Sequence, residues 1–167
     1  MIERPMFVLT FASALGSGLI AGAFFAFSTF VMQALAQLPP AQGIATMQSI
    51  NIVVLNRWFL GVFVGTAVLC IAVGIAALVW RPSGTAYLLA GSLLYVIGTF
   101  LVTMLFNVPR NNALAGVASN SVEGARLWSA YLVEWTMWNH VRTVAALAAM
   151  AALILAPIAQ SRGIGTP

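Results

Sequence analysis

Residues 57–84 read RWFLGVFVGTAVLCIAVGIAALVWRPSG, a long apolar run bracketed by two arginines. Trp58 and Trp80 lie just inside these arginines, at the positions where tryptophans anchor helices in the membrane interface. At about 1.5 Å per residue, a helix of this length crosses a hydrocarbon core about 30 Å thick. The Pro82-Ser-Gly84 segment predicts a tight turn. The stretch therefore predicts a membrane-spanning helix that is followed at once by a return.

The composition of the whole chain agrees with a membrane protein. Of its 167 residues, 62% are hydrophobic and 6% are charged, whereas soluble chains carry roughly a quarter charged residues. We predict one all-α domain over residues 1–167, an integral membrane four-helix bundle and a multi-pass protein of the cell (inner) membrane. The predicted spans cover residues 6–32, 58–80, 85–106 and 141–158.

Two spans are expected to extend beyond the membrane on the side of the long loops. Residues 41–57 have apolar side chains three and four apart, which predicts an amphipathic helix that continues into the second span. Residues 121–140 predict a similar extension of the fourth helix, with Asn120 and Glu123 as a capping box. Pro109 is expected to end the third helix. The tail at residues 160–167 is expected to fray.

Charge and cysteine content exclude several classes of function. The seven basic residues are all arginines and form no cluster, so no nucleic-acid partner is expected. They fall on both predicted sides of the membrane, which leaves the orientation open. The single cysteine, Cys70, cannot form an intrachain disulfide, and we predict that its side chain is buried and contributes to packing. The expected macromolecular environment is the lipid bilayer.

The hairpin topology brings the polar segments together. The connections between the first and second spans and between the third and fourth are long, so both lie on one side. On that side, the second span begins at Asn56-Arg57 and the third ends at Asn107, while the fourth begins near Glu134. These groups are far apart in sequence, yet the topology predicts that they converge.

The segment Glu134-Trp-Thr-Met-Trp-Asn-His-Val-Arg142 is the candidate site. Tyr131, Trp135, Trp138 and Arg142 are spaced by three and four residues, which places them on one stripe of a helix. His140 is the only histidine, and histidine is the side chain best suited to proton transfer near neutral pH. The segment could form a small-molecule site in which aromatic rings stack on a flat ligand.

Other interpretations of the segment remain open at this point. One histidine, three glutamates and no aspartate make a metal or haem site poorly supported. A conduction path is poorly supported because the spans have almost no ionisable groups. Tryptophan and arginine at a helix boundary can also be ordinary interfacial anchors.

Three motifs resemble the anthrone oxygenase-like family of small four-helix membrane proteins, many of whose bacterial members are catalogued as a domain of unknown function. The motifs are Phe24-Phe-Ala-Phe-Ser-Thr-Phe30, Phe106-Asn-Val-Pro-Arg-Asn-Asn112 and Trp135-Thr-Met-Trp-Asn-His-Val-Arg142. The resemblance covers about residues 8 to 155. It implies a cofactor-free oxygenase that converts anthrones to anthraquinones with molecular oxygen.

Ten residues are assigned roles: the resemblance implies those of His140, Asn107, Asn139, Arg142, Trp135 and Trp138, and the convergence of the polar segments adds Tyr131, Asn56, Arg57 and Glu134. His140 would be the base, and Asn107, Asn139 and Arg142 would stabilise the oxyanion. The substrate-binding residues would be Trp135, Trp138, Tyr131, Asn56, Arg57 and Glu134. The expected ligand is a small hydrophobic aromatic molecule of phenolic, anthrone or quinone type, with no metal and no cofactor. The alternative is a non-catalytic membrane protein, either an accessory or structural subunit or a small-molecule carrier. A homo-oligomer is left open.

Overall fold

The computed structural model describes residues 3–163, which form helices joined by short connections and contain no strand. Four helical stretches are long and apolar enough to cross a membrane: Arg4–Ala36, Arg57–Trp80, Thr85–Ala115 and Val122–Ala159. The predicted all-α bundle with four spans is therefore confirmed, and the chain is a multi-pass membrane protein. The α-helices are α1 (Glu3–Ala26), α2 (Met32–Ala36), α3 (Pro40–Val53), α4 (Arg57–Trp80), α5 (Thr85–Leu93), α6 (Val108–Ala115) and α7 (Val122–Gly163).

The bundle packs around α7. The first span contacts α4 and α7, and α5 packs against the same two helices. Gly16 of α1 lies directly against the Thr66 side chain of α4, so the absence of a Cβ permits this close approach. Cys70 is fully buried in the same core. The short turn after α4 uses two left-handed residues, Arg81 (φ 46°) and Gly84 (φ 83°).

The third span does not end at Pro109, contrary to the prediction. Two π-helical segments, Leu94–Leu101 and Thr103–Asn107, connect α5 to α6. The Val108 N–H bonds to the Thr103 carbonyl five residues back. Because Pro109 falls in the first turn of α6, where its missing N–H costs least, the wider turn before it lets the helix continue.

The π-helical segments keep a row of polar side chains, the polar ladder Thr99, Thr103, Asn107 and Asn111, on the side of the third span that faces α7. In a regular α-helix, residues four apart drift around the axis by about 40° per step. The wider π turns offset this drift. Thr99, Thr103, Asn107 and Asn111 thus all contact α7. Their partners there are Arg142, Trp135 and Tyr131.

The prediction that α3 continues into the second span is wrong. The chain leaves the helix at Val54 and re-enters at Arg57. Asn56 is the reason: its Oδ1 accepts hydrogen bonds from the N–H groups of Trp58 and Phe59, both at 3.0 Å, and so caps α4. The α3 helix is instead a separate element that packs across α7, with Gly43 against the Trp128 ring.

The helix α7 begins at Val122, and its cap is Ser121 rather than Asn120. Ser121 Oγ accepts a hydrogen bond from the Gly124 N–H at 2.9 Å. The predicted extension of the fourth helix is continuous with its membrane segment, and Pro157 lies within it. The helix runs to Gly163, so this part of the predicted tail is helical. Residues 164–167 of the tail lie outside the described part of the chain.

Candidate functional site

A cavity of about 380 Å³ lies where the long-connection ends of the spans meet α3. This volume falls within the roughly 300–1,000 Å³ of small-molecule pockets. Most of its lining is apolar. Leu55, Val64 and Met104 are the exposed side chains at its rim. The polar side chains that line it, apart from the Trp135 indole, are Asn51, Thr103, Asn111 and Arg142.

Phenylalanines in stacked and edge-to-face contact form one wall of the cavity. Phe63 is at the centre of this group: its ring lies 5.2 Å from that of Phe100, 5.9 Å from that of Phe59 and 6.3 Å from that of Phe24. All four side chains line the cavity. Such a wall favours a flat, apolar ring system over a flexible or strongly hydrated ligand.

Among the described residues that line the cavity, Arg142 is the one with a formal charge. It is 5% exposed, and its guanidinium carbon lies 3.8 Å from the centre of the Phe24 ring and 4.9 Å from that of Trp135. Within residues 3–163, the ion pair that forms joins Arg110 to Glu134, and Arg142 has no carboxylate partner. Aromatic faces partly stabilise a buried cation. They do not neutralise it, so the positive charge remains available to a ligand.

A neutral network holds Arg142 in place. Asn139 Oδ1 accepts hydrogen bonds from Arg142 Nε at 2.9 Å and Nη2 at 2.7 Å. Asn139 Nδ2 donates to the Phe24 carbonyl at 2.8 Å and to Ser28 Oγ at 2.7 Å. Both of these partners belong to the Phe24–Phe30 motif. This motif therefore lies beside the Asn139–Arg142 pair.

A second polar group lies at another part of the lining, along the Trp135 indole. Asn111 Oδ1 accepts hydrogen bonds from Trp135 Nε1 and from the Tyr131 hydroxyl, both at 2.8 Å. Tyr131 and Trp135 are themselves stacked, with ring centres 5.8 Å apart. Tyr131 does not line the cavity, so it acts on the site through Asn111 and Trp135.

Four of the predicted binding residues lie away from the cavity. Asn56 caps α4, and the Arg57 guanidinium lies 4.9 Å from the centre of the exposed Trp58 ring. Glu134 Oε2 pairs with Arg110 Nη2 at 2.7 Å on an exposed face. The Trp138 ring stacks on Phe106, with ring centres 3.6 Å apart. None of the four residues Asn56, Arg57, Glu134 and Trp138 contributes to the lining.

His140 and Asn107 are also outside the lining. His140 is exposed, and it lies roughly 200° around the α7 axis from Arg142. Asn107 is fully buried, and its Nδ2 donates to the Trp135 carbonyl at 3.1 Å. Of the ten predicted site residues, the structure therefore brings Trp135 and Arg142 to the cavity, with Asn139, Asn107 and Tyr131 directly behind them.

Sequence reasoning did not single out Asn51, Thr103 or Asn111. Two patterns could have found them. Asn51 lies beside Met47 and Ile50 of α3 and Val54 directly after it, an apolar stripe whose three members all line the cavity. Thr103 and Asn111 belong to the four-residue polar ladder of the third span.

Comparison with protein-family models identifies a match. The family model described as anthrone oxygenase matches residues 55–152, which is more than half of the chain. Neither the curated proteins nor the solved structures contain a match. The matched segment runs from the beginning of α4 into the membrane part of α7 and includes Arg142, Asn139, Trp135 and Asn111. The chain belongs to the anthrone oxygenase family.

Proposed function

We propose that this protein binds a planar phenolic or anthrone-like molecule in the 380 Å³ cavity and oxidises it with molecular oxygen. The observation that supports the proposal is the buried Arg142 guanidinium, which faces an aromatic cavity and has no carboxylate partner within residues 3–163. A buried charge without a partner is costly. An anionic ligand oxygen would offset that cost, which makes an aromatic alkoxide or phenolate the best-matched ligand.

The chemistry follows from the acidity of such substrates. Loss of a proton from the methylene of an anthrone gives an anion whose negative charge is spread onto the carbonyl oxygen. Arg142 would stabilise that oxygen, since a fixed donor in an apolar site lowers the energy of a developing oxyanion. The negative charge of the substrate anion also makes the methylene carbon electron-rich, so that carbon can react with molecular oxygen.

The reaction balances with one O₂ for each quinone. Oxygen forms a C–O bond at the deprotonated carbon, and protonation gives a hydroperoxide. Loss of the second proton from that carbon breaks the O–O bond, leaves a carbonyl and releases water. The substrate loses four electrons and oxygen gains four. The anion is itself the reductant, so the proposal requires no cofactor.

We assign the anion-stabilising role to Arg142, the orientation of its guanidinium to Asn139, and a ring-binding wall to Trp135. Asn107 would hold α7 against the third span through the Trp135 carbonyl. His140 remains a predicted base, although its side chain is exposed and outside the cavity lining. Substitution of His140 and of Arg142 therefore tests two separate assignments.

The test is oxygen uptake and quinone formation by the purified protein in nanodiscs with anthrone. Loss of a stabilising donor typically lowers kcat by about 10²–10³. We therefore expect the kcat of Arg142→Met to be lower than that of the wild type by this factor, and the kcat of Arg142→Lys to be lowered less. Wild-type turnover by a folded Arg142→Met variant would overturn the proposal. Loss of turnover in His140→Ala, with ligand binding intact, would establish His140 as the base.

A second candidate function is a carrier for the same class of aromatic anion. It is favoured by the lining, in which the residues that the structure describes include no carboxylate and no histidine to remove a proton. A carrier would bind anthrone or anthraquinone, detected as quenching of tryptophan fluorescence, without consuming oxygen. Measurements of ligand binding and oxygen uptake on the same preparation, with the same ligands, therefore distinguish a carrier from an oxygenase.

A further inference from the structure

The amide of Asn111 has an orientation that its neighbours determine. An indole N–H can only donate a hydrogen bond, so the Asn111 atom that faces Trp135 Nε1 at 2.8 Å must be the carbonyl oxygen. The Tyr131 hydroxyl donates to the same oxygen, also at 2.8 Å. The other end of the amide is therefore Nδ2, a donor of two hydrogen bonds.

No acceptor among the described residues engages Asn111 Nδ2, although Asn111 lines the cavity. Asn51 also lines the cavity and lies beside the Tyr131 hydroxyl, which donates to Asn111 and keeps lone pairs that can accept a hydrogen bond. Within residues 3–163, Asn51 Nδ2 is buried and forms no hydrogen bond. In the described part of the chain, no protein acceptor thus engages the amide donors of Asn51 and Asn111 beside this part of the cavity.

The two donor groups are separated by one aromatic ring. The Trp135 indole contacts Asn111 through Nε1, and its ring centre lies 4.9 Å from the Arg142 guanidinium carbon. A ligand that stacks in the cavity would meet a cation over the face of this ring and an amide donor beside its Nε1 edge. Both groups select for an oxygen that accepts hydrogen bonds.

We propose that Asn111 is a second ligand-binding group, whose Nδ2 donates to a carbonyl or phenol oxygen other than the one that meets Arg142. The ligand class is a fused aromatic system with two acceptor oxygens, as in a quinone or a hydroxylated aromatic ketone. This inference rests on the proposed function, because it takes the same cavity as the binding site.

The matched variant is Asn111→Asp, which keeps an oxygen acceptor for Trp135 and Tyr131 but replaces the amide donor with a second oxygen. Asn112→Asp is its control, since Asn112 is exposed, adjacent and outside the lining, and receives the same change in charge. The probes are anthraquinone, anthrone and anthracene, which share one ring system and have two, one and no oxygens. Binding is measured without oxygen, by tryptophan fluorescence of the full chain in nanodiscs.

We expect Asn111→Asp to weaken anthraquinone binding by about 5- to 10-fold, which corresponds to the loss of one hydrogen bond. The affinity for anthracene should stay within about twofold of the wild-type value. Asn112→Asp should leave all three affinities unchanged. Equal weakening of all three ligands by Asn111→Asp, or no weakening, would overturn the second binding group alone. If the wild-type protein binds none of the three, the proposed function fails, and this inference fails with it.

Discussion

Arg142 and Asn139 form a pair one helical turn apart on α7, in which one amide oxygen accepts hydrogen bonds from two guanidinium nitrogens, Nε at 2.9 Å and Nη2 at 2.7 Å. A carboxylate could orient the guanidinium in the same way, but it would also cancel the charge. The neutral amide orients the cation and leaves its full charge to act in the cavity. This distinction can be tested directly.

Replacement of Asn139 by aspartate should neutralise Arg142 without removing the acceptor. We expect Asn139→Asp to lower the rate of anthrone oxidation by about 10²–10³, the range found when an oxyanion is deprived of its donor. Oxygen uptake measures the rate, and circular dichroism checks the helical content. Ser28→Ala is the control, because it removes the Ser28 bonds to Asn139 Nδ2 and Thr143 Oγ1 without adding a charge and should cost less than Asn139→Asp. A fully active Asn139→Asp variant would mean that the charge of Arg142 is not used.

Loss of the exposed ion pair should have little effect. Glu134 and Arg110 are 54% and 27% exposed, and such pairs contribute little to stability because water screens them. We expect Glu134→Gln to lower the free energy of unfolding by less than about 0.5 kcal/mol. Thermal unfolding in detergent measures this change. A much larger loss would show that Glu134 has a partner or a role beyond Arg110.

The approach of α1 to α4 should be sensitive to a single methyl group. A Cβ on Gly16 would overlap the Thr66 side chain, so we expect Gly16→Ala to destabilise the protein by about 1–3 kcal/mol. Thr66→Ala in the same chain should restore part of that loss. The matched control is Gly22→Ala on the same helix, where a Cβ meets nothing within 4 Å and stability should not fall. Equal effects at Gly16 and Gly22 would contradict this packing.

The break between α3 and α4 should depend on the cap at Asn56. Alanine at this position removes the acceptor for the Trp58 and Phe59 N–H groups, and we expect a loss of about 1 kcal/mol, within the range for N-caps. Asn56→Asp keeps an acceptor at the positive end of the helix and should unfold close to the wild-type temperature. If both variants lost the same stability, the cap would not be the reason for the break.

The spans could be predicted because hydropathy is a local property. Each run is apolar over its whole length, whichever helices it later contacts. The inward face of α7 was harder to assign. A heptad-like spacing connects the buried Leu153, Ala149 and Ala146 with Arg142, Asn139 and Trp135. When this spacing is extended towards the N-terminus of α7, it places His140 and Trp138 away from the core. The spacing was hard to recognise in the sequence because several of the residues in this segment are polar.

Other features depended on contacts that no single segment determines. The Arg110–Glu134 pair joins two helices, and the Asn111 amide is oriented by side chains on α7. The π-helical turns of the third span are visible only through their hydrogen bonds. A proline after such a turn reads in sequence as an ordinary helix end, which is why the prediction at Pro109 failed.

The π-helical turns also bear on how related chains should be aligned. Each such turn accommodates an additional residue relative to an α-helix, so a relative that lacks one residue between Thr103 and Asn107 would close this turn to an α-helical one and leave the residues after it facing nearly the same way. The counterpart of Asn111 would then still face α7, although it would stand one position earlier in the sequence. A relative that differs by one residue in this segment could therefore keep both the membrane topology and the ligand site, and an alignment without a gap would assign the wrong residue to the position of Asn111.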